Sequence, residues 1–137
     1  MIKVQQQIYS TNGVYQEGQT GDCWRACVAS FLELPIRMVP HFAEIWDNHG
    51  PRMAATAYLK FMWEYGYIVQ GRQGSYAAEE IYPGEDPIYL ASGPSPRNPD
   101  INHMVMYRDG EMIHDPHPDG TGITRIEYIE KLIKIKS

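Results

Sequence analysis

The chain has 137 residues, 43% of them hydrophobic and 21% charged, with 10 Tyr, 7 Met and 3 Trp, a composition that fits one folded domain over residues 1–137 and excludes a disordered chain. A formal net charge of −5 and the absence of any basic run exclude the phosphate-neutralising surface that nucleic-acid binding requires. No stretch reaches the ~20 apolar residues of a membrane span, and "MIKVQQQIYS" lacks the apolar core of a secretory signal, so a cytoplasmic protein with reduced cysteines is expected.

In chain order, "IKVQQQIY" reads as an extended lead-in and "STNGVYQEGQTG" as a turn-rich loop. A first helix then spans "CWRACVASFLEL", with Thr20 or Asp22 able to cap its start and Pro35 forcing Leu34 out of helical geometry. "PIRMVPHFAEIWDNHG", with two prolines, reads as an irregular connection holding at most a short turn of helix. In "PRMAATAYLKFMWEYG", Pro51 starts a second helix and Gly66 stops it, and Ala55, Leu59, Met62 and Trp63 supply the helical spacing.

"YIVQ" and "PIYLAS" read as strands, and "SGPSPRNPD" as a proline-rich loop. "HMVMY" and "EMIHD" form a hairpin around "RDG". In the tail, Thr124 and Glu127 could make a capping box, but Ile129, Ile133 and Ile135 fit a strand, which is preferred. Helices first and antiparallel strands later predict an α+β fold.

Cys23 and Cys27 lie one helical turn apart. Their Cβ atoms would be about 5–6 Å apart on one helix, too far for a disulfide. Cys23 falls in the first turn, where the helix dipole and unpaired N–H groups favour a thiolate, while Cys27 leads into "VASFL" and reads as a small core residue. A nucleophilic thiol also needs a base and a group to orient it. Of the five histidines, His41 and His49 read as surface or structural, and His114 and His117 flank the Asp-Pro of "IHDPHPD". His103 begins a hairpin strand after a loop, where a strand end can open onto a cleft.

Hairpin register decides whether Asp115 can orient His103. A two-residue turn at Asp109-Gly110 sets His103 against Pro116 and puts Asp115 on the opposite side of the sheet. A three-residue loop with Gly110 in a left-handed bulge sets His103 against Asp115. Both loop types are common; the three-residue loop is the one predicted.

Cys23, His103 and Asp115, in that order, resemble the papain-like cysteine peptidase superfamily. "DCWRACVASF" is similar to its nucleophile helix, and "NHMVMYRDGEMIHDP" to the His-then-Asp-Pro segment of the bacteriocin-processing peptidases of peptide exporters. The resemblance implies a papain-like fold, a nucleophile helix and a second helix packed on a C-terminal antiparallel sheet. It implies a thiol hydrolase that cleaves an amide, peptide or isopeptide bond of a peptide or protein substrate, with a Cys23–His103–Asp115 triad and no metal or organic cofactor. It also implies an upstream glutamine for the oxyanion; Gln19 is preferred over Gln16, although neither has the usual spacing.

Other classes remain open. The same triad serves transglutaminases and deamidases, and a papain-like fold can serve for binding alone. "HDPHPD" invites a metal site, but its two prolines hold an extended chain whose alternate side chains diverge, and turn formation is the better reading. "SGPSPRNPD" and residues 71–86 are the expected cleft walls, with Trp24 and Trp46 as apolar contacts.

Overall fold

The computed structural model describes residues 2–74 and 84–135. Helix α1 (Cys23–Leu32) stops where Glu33 turns left-handed, with φ of 58°, two residues before Pro35. Neither expected cap forms. Asp22 occupies the cap position, but its buried carboxylate accepts the N–H groups of Ile8 (2.9 Å) and Gln7 (3.3 Å), and Thr20 donates its hydroxyl to Asp47 (2.5 Å). The extended lead-in needs partners for its backbone, and the carboxylate supplies two of them.

"PIRMVPHFAEIWDNHG" is more ordered than expected. After a 3-10 turn at Ile36–Met38 comes helix α2 (Phe42–His49), an eight-residue helix. Its cap is His41, whose Nδ1 accepts the Glu44 N–H at 3.3 Å, and buried Phe42 anchors its first turn. Arg25 reaches from α1 to fix the preceding turn, donating Nε to the carbonyls of Val39 (2.7 Å) and Ile36 (3.0 Å).

Helix α3 (Pro51–Glu64) begins at proline and ends before Gly66, whose φ is 89°. Its inward row is Ala54, Tyr58 and Met62, so of the expected spacing Met62 is buried, while Ala54 and Tyr58 stand in place of Ala55 and Leu59; Leu59 is 49% and Trp63 60% exposed. Tyr58 packs against Trp24 and Phe42, with ring centroids 4.9 and 5.1 Å away.

The strands are β1 (Tyr67–Gln73), β2 (Glu85–Pro94), β3 (Asn102–Arg108), β4 (Glu111–His114) and β5 (Tyr128–Lys134). They form one antiparallel sheet in the order β1-β5-β2-β3-β4, so the tail is indeed a strand and sits between β1 and β2. The fold is α+β, three helices on a five-stranded antiparallel sheet. Leu90, Met106 and Leu132 on one face of the sheet join Cys27, Phe42, Tyr58 and Met62 in the main core. Tyr89, Ala91, Val105 and Ile129 on the other are covered by Ile123 and Ile126.

The β3–β4 turn is the two-residue one. Asp109 and Gly110 both have positive φ (52° and 75°), and Arg108 faces Glu111, as a twist-matched Asp-Gly turn requires. The expected three-residue loop is therefore absent. The register then shifts: Tyr107 faces Met112, but Met106 faces His114, leaving Ile113 as an extra, bulged residue. One added residue reverses the parity. Continuing that register puts Asp115 level with Val105, on the side of the sheet that His103 shares.

Gly93 of β2 lies under the segment that covers the second face. A Cβ there would fall 1.9 Å from the Arg125 carbonyl oxygen. Gly93→Ala should therefore lower the unfolding free energy by about 1–3 kcal/mol or more, read as an earlier urea midpoint with an unchanged slope; a midpoint equal to wild type would contradict this packing.

Candidate active site

Helix α1 places Cys23 at its N-terminal end, partly buried, with its backbone entry fixed by the carboxylate of Asp22. Strand β3 brings in His103, which is 3% exposed, and the chain leaving β4 brings in Asp115. His103 Nε2 lies 2.7 Å from Asp115 Oδ1, a length typical of a charge-assisted bond. Asp115 is itself held: Oδ1 accepts the His117 N–H at 2.9 Å and Oδ2 the Gly122 N–H at 2.7 Å.

These contacts set the charges. Burial disfavours an ionised Asp115, but the hydrogen bond and charge of His103 and the two backbone N–H groups outweigh it and hold the carboxyl below its usual range. Burial likewise works against a charged His103, and hydrogen bonds and opposite charge from Asp115 and Cys23 overcome it, raising the imidazole to about 9. With Nε2 on Asp115, Nδ1 is the nitrogen left for the Cys23 sulfur. The imidazole thus interacts with a thiol and with a carboxylate.

Cys27 is excluded from this chemistry. It is fully buried, its Sγ meets the Met104 carbonyl at 3.5 Å, and burial pushes the thiol well above its usual value. Both cysteines are free.

Cys23 and His103 open onto a cleft of about 1030 Å³ between the helices and the sheet. Gln19 lines it, and its amide makes no hydrogen bond among the described residues. Gln16 lies outside the cleft and contributes only its carbonyl, which accepts the Gln19 N–H at 3.1 Å. The walls differ from the expected ones. Trp24 and Trp46 do line the cleft, but of residues 92–100 only Ser92 does. The proline-rich loop instead packs on the turn at Gly13, whose carbonyl accepts Asn98 Nδ2 at 3.2 Å. From residues 71–86, Gly71 and Gln73 contribute as part of β1; residues 75–83 lie outside the described residues.

Two further histidines hold backbone. His114 and His117 donate Nε2 to the carbonyls of Val4 (2.7 Å) and Ser10 (2.9 Å), fastening the lead-in to the end of the hairpin. Asp119 binds Arg97 (2.8 and 3.0 Å). Among the described residues no group of three His, Cys, Asp or Glu is arranged to hold a metal ion.

No family model, curated protein or solved structure matches this chain. The chemistry must be read from the geometry.

That geometry adds residues which the sequence reading passed over. The Tyr15 ring packs on Gly21, where a Cβ would fall 2.0 Å from the hydroxyl oxygen. Burial, then the negative charge of Cys23, pushes the Tyr15 hydroxyl up, and both residues line the cleft. Glu130 and Tyr128 line the cleft from β5 and Asp47 from α2. The alternation of Tyr128, Glu130 and Leu132 along β5 was the available signal for Glu130, a lone acid in an otherwise inward-facing row.

Iodoacetamide at neutral pH should modify Cys23 and leave Cys27 untouched in the folded protein, as read by peptide mass mapping. Equal modification of both thiols would contradict this site.

Proposed function

We propose that the protein is a papain-like thiol hydrolase that cleaves an amide or peptide bond through an acyl-enzyme on Cys23. The observation that carries this reading is the line Cys23–His103–Asp115, with an imidazole raised to about 9 beside a cysteine at a helix N-terminus. An imidazole in that state is an acid waiting for a leaving amine, and its partner thiolate is the nucleophile.

The Cys23 sulfur attacks the substrate carbonyl, and the oxyanion of the tetrahedral intermediate is held by the Cys23 backbone N–H and the Gln19 amide. His103 gives its Nδ1 proton to the departing amine, leaving a thioester. Neutral His103 then takes a proton from water, whose hydroxide attacks the thioester and releases the acid and the thiol. Asp115 remains ionised throughout, keeping the Nε2–H in place and stabilising the imidazolium. Residues Trp24, Trp46 and Leu59 offer the apolar contacts that position a peptide or protein substrate. Two free thiols suit a reducing, cytoplasmic setting. Among the described residues no helix is long and apolar enough to cross a membrane.

An electrophilic probe for thiol hydrolases tests the reading. Wild type should be labelled, Cys23→Ala should not, and His103→Ala should lose roughly 10²–10⁴-fold in labelling rate; equal labelling of wild type and Cys23→Ala would overturn it. The pH dependence has a definite sign. Because His103 is raised above its ordinary 6.5, its proton is held through neutral pH and lost as pH rises through about 9. Amide hydrolysis should fall along that limb while thiol alkylation persists, and an alkaline limb near the ordinary histidine value would count against the assignment.

A further inference from the structure

Glu130 is a carboxyl that the hydrolytic chemistry does not use. It lies in the middle of β5, paired across to Leu90 and Gly71, lines the cleft, and is 8% exposed. Its side-chain partner is neutral: the Tyr58 hydroxyl donates to Oε1 at 3.1 Å. The cations nearby serve other carboxylates. Lys131, the next residue, points to the opposite face toward Glu85 (3.8 Å), Arg72 also binds Glu85, and Arg125 binds Glu127 (3.0 Å).

Burying a carboxylate without a counter-charge is unfavourable. Burial pushes Glu130 up to about 7, with the Tyr58 hydrogen bond only partly offsetting it. The rest of the cleft has the same sign. Its described lining residues include Asp47, Glu127 and Glu130 but no Lys or Arg. The walls also suit a long aliphatic stem with a charged head. Tyr128 and Tyr58 flank the carboxyl, and Trp46 and Leu59 are half-exposed at the rim, surfaces along which the methylenes of Lys or Arg pack and on which a cation is attracted.

We propose that Glu130 determines the specificity of the cleft and that it reads the cationic head of a Lys or Arg side chain in the substrate. This rests on the thiol-hydrolase reading of the same cleft and names the substrate class. The entering cation supplies the counter-charge that the fold withholds, and a neutral or acidic side chain leaves the carboxyl buried without one. Glu130 does not touch the reacting atoms, so its effect is on which substrate is held.

Binding separates this from the chemistry. Fluorescent peptides capped at both ends, with Lys, Arg, norleucine, Gln or Glu scanned through each position, can be titrated against the Cys23→Ala protein by anisotropy. The Lys and Arg peptides should bind roughly tenfold or more tighter than norleucine peptides at one position, and Glu130→Gln, which keeps an acceptor for Tyr58, should bring the ratio near one. Glu127→Gln, whose carboxylate is exposed and paired with Arg125, should keep the preference. No preference for basic peptides, an unchanged preference in Glu130→Gln, or no peptide binding would overturn the proposal. Failure of the hydrolase reading would appear separately, as wild type that binds the basic peptide but whose Cys23 is not alkylated, with loss of the carboxylate, by its acyloxymethyl ketone.

Discussion

The hydrogen bond between His103 and Asp115 depends on a bulge at Ile113. The Asp109-Gly110 turn fixes the start of the hairpin through two positive φ angles, and an unbroken ladder from there would put Asp115 on the wrong side of the sheet. The extra residue in β4 reverses the parity, and the 2.7 Å contact follows. A hydrogen bond to a charged group contributes about 1.5–3 kcal/mol. Here it also selects which imidazole nitrogen remains for Cys23, and that selection decides what the thiol can do.

A second set of contacts brings the nucleophile to this hairpin. The lead-in runs between α1 and the end of β4, with Asp22 and Ser30 taking its N–H groups on one side and His114 and His117 its carbonyls on the other. Asp22 precedes Cys23 and Asp115 follows His114, so on each side one fastening residue is adjacent in sequence to a member of the proposed triad. The same backbone hydrogen bonds that satisfy an otherwise irregular segment thus fix the distance between thiol and imidazole. The fold tolerates little freedom there, which suits a site whose geometry must be set before substrate arrives.

Much of this layout was legible from residues. Pro51 and Gly66 marked the ends of α3, the isoleucines of the tail identified β5, and position in a helix separated Cys23 from Cys27. Asp115 was paired with His103 for a reason the structure corrects, because a loop of three residues and a turn of two followed by a bulge bring the same two side chains together. The bulge itself leaves no mark in "EMIH". Helix α2 escaped notice because its cap is a histidine and its length only eight residues, too short for a clear period. The inward face of α3 was misplaced because Tyr58, not Leu59, fills the aromatic core. The cleft walls were misjudged because they are assembled by strand order, with β5 inserted between β1 and β2, and strand order is not written in any local pattern.

The central claim is that Cys23, His103 and Asp115 act as one electrostatic unit. Direct titration of the imidazole nitrogens of His103 by ¹⁵N NMR tests it without any substrate. Wild type should keep both nitrogens protonated up to about pH 9, and Cys23→Ala and Asp115→Ala should each move the titration down. A His103 that titrates at its ordinary 6.5 in wild type, unmoved by either substitution, would contradict the account.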